Sequence, residues 1–403
     1  MGAGPSAKPL HVVIAGGGIG GLTAALALAQ AGLRVTALER APGFEEVGAG
    51  LQLAPNAVRR LRALGLMPAL ERPSLRPELV RIRGAGDSAE IARIPLGPIA
   101  ELRWGAPYLV IHRADLLGVL VAACKAHPAI DIMTGTEVVG FAATAGGVEV
   151  AARRGAETLR IAADCVIAAD GVRSRLRERF GLGFADRPVW SGRTAWRALV
   201  PAAQAPDFAR KLETGLWLGP RAHLVHYPLR QGDSINVVAI SEDAWRADDA
   251  PDIWSISGDL TALSPAFARW SPDARGLIAA APEWRRWPLF DRAPASRWTV
   301  PRVGLLGDAA HPMLPFLGQG AGQAIEDASA LAAAFQGHPG DVAAALAAYQ
   351  AARAARAAAV VVASRRQGAI YHLRGPMALA RNLVMKRHSA NQMLSRLDWL
   401  YGE

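Results

Sequence analysis

The sequence contains no long apolar run and few cysteines. Although 51% of its 403 residues are hydrophobic, no uninterrupted apolar stretch reaches the ~18 residues that suggest a transmembrane helix. Cys124 and Cys165 are the only cysteines, and neither belongs to a CxxC pair or a Cys/His cluster, which disfavours a disulfide framework and a metal site. We therefore expect two reduced, buried thiols, no metal ion, no integral membrane segment and a cytoplasmic protein.

Lysine is also scarce. It occurs only at positions 8, 125, 211 and 386, so that arginine carries almost all of the positive charge behind the net charge of +10. These arginines are dispersed along the chain rather than gathered into the basic run that favours nucleic-acid binding. We therefore expect no nucleic-acid partner, and a positive field that attracts anionic small molecules.

Glycine, in contrast, is concentrated near the start of the chain. An apolar run at residues 10–15 predicts a strand, residues 16–21 follow the pattern GxGxxG, and residues 22–31 have helical character. A second strand-like run, residues 33–38, ends at Glu39. This order of strand, glycine turn, helix and strand with a terminal acid predicts a dinucleotide-binding βαβ unit. A purely structural glycine-rich turn is the alternative.

The positions of this pattern have separate physical reasons. Gly16 permits the tight turn, Gly18 lets the backbone approach a pyrophosphate, and Gly21 packs the helix against the strand. The helix N-terminus offers free N–H groups to the phosphates, and Glu39 would bind a ribose hydroxyl. The pattern alone does not distinguish FAD from NAD.

Two further strand-plus-glycine signals follow downstream. The apolar residues 165–169 lead into Asp170 and a DGxxSxxR pattern, and residues 303–306 lead into Gly307 and Asp308. An acid at the carboxyl edge of a buried strand often contacts a ligand, which makes both acids candidates for cofactor contacts. Asp170 would also suit the cap of a short helix that begins just after it.

The three fingerprints, in this order and spacing, resemble those of the class A flavoprotein monooxygenases. Softer similarities at residues 50–56 (GLQLAPN), 192–197 (GRTAWR) and 398–402 (DWLYG) are to the branch of salicylate hydroxylase and 3-hydroxybenzoate 6-hydroxylase. The resemblance covers nearly the whole chain. It implies FAD as the cofactor, NADH or NADPH as the cosubstrate, and hydroxylation of a small phenolic (hydroxybenzoate-like) acid by O2 through a flavin C4a-hydroperoxide.

The fold that the resemblance implies is α/β, with a Rossmann-like FAD-binding domain interleaved with an antiparallel-sheet substrate domain, plus C-terminal helices. The FAD-binding domain is expected at residues 8–75, 105–185 and 284–365, the substrate domain at residues 76–104 and 186–283, and a C-terminal helical segment at residues 366–403. The alternating and aromatic pattern of residues 186–282 itself favours an antiparallel sheet.

Residue by residue, the resemblance assigns the adenosine half of FAD to Glu39 and Arg40, the pyrophosphate to Arg113 and the ribityl chain to Asp308. The glycine-rich loop that precedes residue 323 would direct backbone N–H groups at the flavin pyrimidine edge, where they stabilise the negative charge of reduced flavin. The complete set of expected cofactor-binding residues is Gly16, Gly18, Ile19, Gly20, Gly21, Glu39, Arg40, Gln52, Arg113, Asp170, Gly307, Asp308, Gly318, Gly320 and Ala321.

The run HLVHY supplies the candidate catalytic pair. Strand alternation places His223 and Tyr227 on one face, and Leu224 and His226 on the other. In the 3-hydroxybenzoate branch a His and a Tyr at this spacing line the substrate ring, so the resemblance makes His223 the base, with a pKa near working pH, and Tyr227 its orienting partner. Two ordinary sheet residues are the alternative. His311 is expected mainly to pack the loop near the flavin, with catalysis as its alternative.

Two other functions stay open at this point. One is a flavin-dependent hydroxylase or reductase of a quinone or isoprenoid precursor, because the FAD fold hosts many chemistries. The other, a noncatalytic dinucleotide sensor, predicts neither the GD loop nor the aromatic sheet. Relatives bring a Gln from the loop after GDAAHP, where this chain has MLPF at residues 313–316. Because of that departure, the identity of the substrate and the ring position that is hydroxylated stay open. The sequence also leaves open whether the reductant is NADH or NADPH, and whether hydroxylation removes a carboxylate. A homodimer is expected from the family alone.

Overall fold

The computed structural model describes residues 8–44, 49–181, 186–243 and 256–402. The strands are β1 His11–Ala15, β2 Arg34–Leu38, β3 Gly50–Leu53, β4 Ser74–Leu75, β5 Leu79–Gly84, β6 Glu90–Pro95, β7 Leu109–His112, β8 Ile130–Met133, β9 Thr136–Ala143, β10 Val148–Arg154, β11 Glu157–Ala163, β12 Cys165–Ala168, β13 Val189–Pro201, β14 Thr214–Gly219, β15 Ala222–Leu229, β16 Ser234–Glu242, β17 Ile256–Gly258, β18 Trp284–Asp291, β19 Thr299–Val300 and β20 Val303–Leu305. The helices are α1 Ile19–Gln30, α2 Pro55–Ala63, α3 Met67–Glu71, α4 Gly97–Trp104, α5 Arg113–Ala126, α6 Arg175–Glu178, α7 Leu260–Phe267, α8 Pro272–Ala279, α9 Gly320–Gly337, α10 Val342–Tyr371, α11 Gly375–Arg387, α12 Ala390–Ser395 and α13 Asp398–Tyr401.

A six-stranded sheet forms the floor of the molecule, in the order β19-β20-β12-β1-β2-β8. All of its pairs are parallel except β19 with β20. Strands β1 and β12 are buried along their whole length, as expected for central strands of a parallel sheet whose two faces are covered. Helix α1 connects β1 to β2 and packs against α5 and α9. The βαβ unit predicted from the sequence is thus present.

An eight-stranded sheet forms the roof, in the order β17-β18-β13-β16-β15-β14-β5-β6. It is antiparallel apart from the β14–β5 pair, which confirms the α/β fold with an antiparallel layer. One face packs against α7 and α8 in an apolar cluster that contains Trp196, Trp217 and Phe267. The opposite face is turned toward the floor. Burial of these aromatic rings on one face leaves the other free to line a site.

The predicted domain boundaries can be compared with the strands that make up the floor and the roof. The segment 76–104, predicted to belong to the substrate domain, contributes β5 and β6 to the roof. Residues 284–291, however, form β18 and pair with β13 in the roof, although they were assigned to the FAD-binding domain. The alternating sequence WRRWPLFD fits this pairing. The remaining boundaries stay predictions.

The C-terminal helices close the structure at one end. Arg59 of α2 donates to the backbone oxygen of Tyr401 at 2.8 Å, and the Tyr401 ring meets Trp104 edge to face at 5.0 Å. Among the described residues, no helix is both long and apolar enough to cross a membrane. Cys124 and Cys165 are both buried free thiols, as predicted, and burial raises the pKa of Cys124 to about 12.

Candidate active site

A continuous cleft lies between floor and roof, made of two cavities of about 600 and 340 Å³. The larger is lined by the predicted residues Gly16, Gly18, Glu39, Arg40, Arg113, Asp170 and Asp308. The smaller is lined by the predicted residues Gly18, Ile19, Gly20, Gly21, Gln52, Arg113, His223, Tyr227, Gly307, Asp308, Gly318, Gly320 and Ala321. The fold therefore brings every residue of the predicted set to one cleft.

The glycine turn after β1 shows three different constraints. Gly16 has φ of +115°, and a Cβ there would overlap the backbone oxygen of Ala169. A Cβ on Gly21 would overlap the backbone oxygen of Gly16, whereas a Cβ on Gly18 would have no atom within 4 Å. Gly16 and Gly21 therefore serve the fold, and Gly18 keeps the backbone open to a ligand at the N-terminus of α1. Glu39 accepts a hydrogen bond of 2.8 Å from the Gly17 N–H, which ties β2 to this turn.

The N-terminus of α9 forms a second set of donors on the cleft. Gly318, in a left-handed conformation with φ of +62°, turns the chain into α9, and Gly320 and Ala321 line the smaller cavity. The first N–H groups of an α-helix have no partner within the helix, and they carry the positive end of its dipole. The helix thus presents a positively polarised edge to a ligand in the cleft.

The two predicted acids behave differently. Asp170 accepts hydrogen bonds from the backbone N–H groups of Arg175 and Leu176, at 3.1 and 3.4 Å, so it supports the start of α6 while it lines the cleft. Within the described parts of the chain, no hydrogen bond reaches the Asp308 carboxylate, which is open to the cleft. Burial among protein atoms raises the pKa of Asp308. An unpartnered acid beside the cleft is suited to bind ligand hydroxyl groups.

These features fit FAD. Two helix N-termini supply N–H groups for phosphate and for an anionic ring edge, and Glu39 and Asp308 supply acceptors for sugar and ribityl hydroxyls. The open backbone at Gly18 leaves room for the pyrophosphate. The cleft extends past these groups to the roof, so a cofactor lying along it leaves space for a second, smaller molecule beneath β15.

His223 and Tyr227 lie together on the cleft side of β15, as strand alternation predicted. Both are almost fully buried, and both line the smaller cavity with Val225 between them. His226 faces the other side of the sheet, where its ring centroid lies 5.5 Å from that of Phe208. The alternation therefore places one imidazole and one phenol over the end of the cleft.

The surroundings of His223 differ from what the sequence suggested. Its Nδ1 lies 2.9 Å from Nε2 of His372, and its ring packs against Phe316 and Tyr371. Burial lowers the pKa of His223 well below its usual value, and the charges of His372 and Arg193 lower it further. The expectation of a pKa near working pH is therefore wrong. His223 is therefore neutral, with Nε2 left to meet a ligand.

His311 serves the framework. It does not line either cavity, and its buried Nε2 lies 2.6 Å from Oδ2 of Asp327, with its ring stacked on Trp298 at 5.1 Å. Asp327 also accepts from the Gly307 N–H at 3.0 Å and from Arg353 at 2.8 Å. This network holds the GD loop against α9 and α10, which supports the packing role and not the catalytic alternative.

Two residues of the site were not predicted from the sequence. Arg197 lines both cavities, with its guanidinium 5.1 Å from the Trp287 ring centroid. The segment GRTAWR was noted only for its resemblance, although alternation along β13 could have placed Arg197 on the cleft face. No sequence pattern marks His372 as a site residue, because it follows the end of α10 and contacts His223 only through the tertiary fold.

Comparison with known proteins agrees with this geometry. The sequence pattern of the family described as "FAD binding domain" matches residues 9–364. The chain is 36% identical to the 3-hydroxybenzoate 6-hydroxylase of Klebsiella oxytoca, over 98% of this chain and 97% of that protein. It is 37% identical to the enzyme of the same name from Polaromonas naphthalenivorans, over 98% and 96%.

Solved structures show the same architecture. A salicylate hydroxylase substrate complex has a TM-score of 0.81 at 28% identity, covering 99% of this chain and 96% of that one. Klebsiella pneumoniae HpxO, complexed with FAD and uric acid, has a TM-score of 0.84 at 27% identity, covering 98% and 97%. On the family match, the full-length relatives and the geometry of the cleft, the chain belongs to the FAD binding domain family as an FAD-dependent monooxygenase.

Proposed function

We propose that this enzyme hydroxylates a small phenolic acid of the hydroxybenzoate class, with FAD as cofactor, NADH or NADPH as reductant and O2 as oxidant. The full-length similarity to 3-hydroxybenzoate 6-hydroxylases supports the substrate class. The observation that carries the proposal is the pairing of His223 and Tyr227 above the same cavity that the N-terminus of α9 lines. A phenol held under β15 would lie between this pair and the cofactor.

The pocket beneath the roof suits an aromatic ring. Val225, Val238 and Ile240 supply an apolar surface, and Met313 and Pro315 supply another from the loop before α9. Such walls bury a flat ring and exclude water. Exclusion of water matters because an activated oxygen species that meets water is lost as H2O2. The cavity volume of about 340 Å³, part of it needed by the cofactor, favours a single-ring acid.

The side chains divide the remaining work. Bound FAD supplies hydride acceptance from NAD(P)H and activation of O2 for attack on an electron-rich ring. His223 accepts the phenol proton at Nε2 and so raises the nucleophilicity of the ring carbon. The positive end of the α9 dipole stabilises negative charge at the adjacent cofactor edge by about 0.3 to 2 kcal/mol, depending on burial. Arg113 and Arg197, both on the cleft, attract the anionic substrate.

The setting of the enzyme is part of the same proposal. Use of NAD(P)H fits a cytoplasmic enzyme with the buried, reduced thiols described above, and the family resemblance suggests a homodimer. Light scattering of the FAD-loaded protein tests the assembly, and a mass of one chain would contradict the dimer.

A panel of monohydroxybenzoates, with salicylate and dihydroxybenzoates, tests the function. We expect one or more of them to stimulate NADH or NADPH oxidation by the FAD-loaded enzyme, with a hydroxylated product that carries one atom from 18O2. Product must be quantified together with H2O2, because an effector that only stimulates oxidation yields peroxide and no product. Quinones serve as the second arm, since reduction of a quinone without oxygen incorporation would contradict hydroxylation.

A further inference from the structure

A row of three ionisable side chains leads from the cleft to the protein surface. His223 Nδ1 lies 2.9 Å from His372 Nε2, and His372 Nδ1 lies 3.6 Å from Oε1 of Glu242. The two imidazoles are almost fully buried, whereas the Glu242 side chain is 39% exposed. The row therefore has one end at the cavity, at His223 Nε2, and the other end in solvent.

Three elements bring these residues together. His223 is on β15, Glu242 ends β16, and His372 follows the last residue of α10. The backbone fixes the outer end of the row, because the His372 oxygen accepts from the Arg221 N–H at 3.2 Å and the Arg221 oxygen accepts from the Glu242 N–H at 2.9 Å. The spacing is thus set by the sheet and not by the side chains alone.

Cations surround the imidazoles. Arg193 of β13 acts on both rings, and Arg381 of α11 acts on His372. Burial, followed by these two guanidinium groups, lowers the pKa of His372 to about 3. Tyr371 packs beside the His223 ring, and burial raises the pKa of this phenol to about 12, so it stays protonated. An imidazolium cation at either position is therefore strongly disfavoured.

A buried, unpartnered nitrogen of His372 indicates the direction in which the row can pass a proton. His372 Nδ1 is buried and makes no hydrogen bond with the described residues, and leaving such a group unpaired costs about 1–3 kcal/mol. Glu242 is the carboxylate that faces it. If His223 donates from Nδ1 to His372 Nε2, His372 must carry its own proton on Nδ1, aimed at Glu242. This tautomer pair leaves His223 Nε2 as an acceptor toward the cleft.

We propose that His372 and Glu242 form a proton outlet through which the phenol proton of the substrate leaves the closed site by way of His223. This inference rests on the proposed function. Its three transfers balance without a charged imidazole. The phenol O–H bond breaks as His223 Nε2 gains a proton, the Nδ1 proton of His223 moves to His372 Nε2, and the Nδ1 proton of His372 passes to Glu242 and then to water. One proton leaves, one phenolate remains, and no group is oxidised or reduced.

The outlet resolves a conflict in the site. A lone base that must become a cation would work poorly where burial and Arg193 oppose that charge. A relay through two neutral imidazoles transfers the proton while each ring ends neutral. His372 is accordingly a positioning and relay residue that acts through His223.

His372→Gln separates relay from support. A glutamine amide oxygen can still accept the His223 Nδ1–H hydrogen bond, but it cannot pass a proton onward. The measurement is rapid mixing of FAD-loaded enzyme with 3-hydroxybenzoate, or with the best compound of the panel, in weak buffer containing a pH indicator. We expect the parent to release close to one proton per site, and His372→Gln to release it about 10²-fold more slowly, at the low end of general acid–base effects. Glu242→Gln should slow it less, because water reaches that end.

Two control variants and one substrate analogue complete this experiment. His388→Gln, at a half-buried position, and Glu157→Gln, at an exposed position, both outside the two cavities of the cleft, should match the parent. A ring-nitrated hydroxybenzoate, whose phenol is already ionised near neutral pH, should bind to His372→Gln and the parent at equal rates. Equal proton release by the parent and His372→Gln, in an enzyme that still forms product, overturns the relay alone. A parent that hydroxylates no phenolic acid overturns the proposed function and, with it, the role of the outlet.

Discussion

Asp308 follows β20 at the carboxyl edge of the floor, where its carboxylate faces the cleft. Burial raises its pKa in the folded chain. An acid with a raised folded pKa opposes folding once pH exceeds its unfolded value of about 3.9, and this cost is complete when pH exceeds the raised value. Because the Asp308 side chain is exposed when no ligand covers it, water screens much of this cost. The cost grows when a ligand covers the carboxylate, and hydroxyl donors of that ligand then offset it.

We therefore expect Asp308→Asn to weaken FAD binding by about 10- to 100-fold, the loss of a hydrogen bond to a charged acceptor, while the apoprotein becomes equally or more stable at pH 7. Flavin fluorescence titration and urea unfolding of the apoprotein measure the two effects. Asp207→Asn, at an exposed position that lines neither cavity of the cleft, is the control. Unchanged FAD affinity in Asp308→Asn would contradict the assignment of this acid to the cofactor.

His223 is expected to act on the substrate and not on the cofactor. His223→Ala should keep its FAD, bind the phenolic acid and still permit stimulated flavin reduction, while product formation falls by about 10² to 10⁴, as for a lost general base. Peroxide release should rise in step. The measurement is product formed per NAD(P)H consumed at saturating substrate. Coupling and turnover equal to the parent's would remove His223 from the mechanism.

The sequence predicted which face His223 occupies but not how it titrates. Alternation along β15 is a local property of a strand, so the pairing with Tyr227 followed from five adjacent residues. The lowered pKa arises first from burial and then from the charges of His372 and Arg193. Both residues, and the Phe316 ring that packs against His223, come from other elements. Contacts of this kind depend on the tertiary fold, and no short pattern encodes them.

At the scale of elements, the β1–α1–β2 unit was predictable because a short run of adjacent residues determines it. Two glycines of this unit provide a matched pair of variants. Gly18→Ala should fold, because its Cβ meets no atom within 4 Å, but the methyl group should obstruct the pyrophosphate and weaken FAD binding. Gly21→Ala should destabilise the fold itself, since its Cβ overlaps the Gly16 carbonyl. Soluble yield and apoprotein circular dichroism separate the two. Equal folding defects in both variants would contradict the division between ligand-facing and packing glycines.

The elements that carry the GD loop are joined through a buried charge network. Burial opposes ionisation of Asp327, but His311 and Arg353 outweigh it and lower the pKa of Asp327 to about 2. A depressed acid contributes stability that is present above its unfolded pKa of about 3.9 and is lost as pH falls toward 2. This network was invisible in the sequence, where the three residues are widely separated.

Asp327→Asn should consequently lose about 1.5–3 kcal/mol of unfolding free energy at pH 7, because the Arg353 Nε–H and the Gly307 N–H lose a charged acceptor. Arg353 keeps its buried ion pair with Glu326. The difference from the parent should shrink between about pH 4 and pH 2, as Asp327 is protonated in the parent. Urea unfolding across this range measures it, with Asp207→Asn as the exposed control. A difference that stays constant with pH would show that the ionised Asp327 contributes nothing specific.

At the scale of the molecule, hydrogen bonds join the roof directly to elements that border the cleft from below. The Gly50 N–H donates to Asn236 Oδ1 at 2.7 Å, which joins β3 to β16, and Arg177 bonds both Asp186 and the backbone oxygens of Ala309 and Ala310. Asp186 leads into the roof, whereas residues 309 and 310 belong to the GD loop. A cofactor that contacts Gly18 and Asp308 below, and the roof above, adds a further link.

FAD should therefore stabilise both layers together. At 100 times its dissociation constant, a ligand that binds only the folded chain contributes about 2.7 kcal/mol. Because the cleft is lined by Asp308 from the floor and Arg197 from the roof, we expect thermal unfolding followed by tryptophan fluorescence, which reports mainly the roof, to shift upward as far as flavin release does. Asp308→Ala at the same FAD concentration should show a smaller shift in both signals. A flavin transition that moves while the tryptophan transition stays fixed would mean that the roof unfolds independently, and that the cofactor is held by the floor alone.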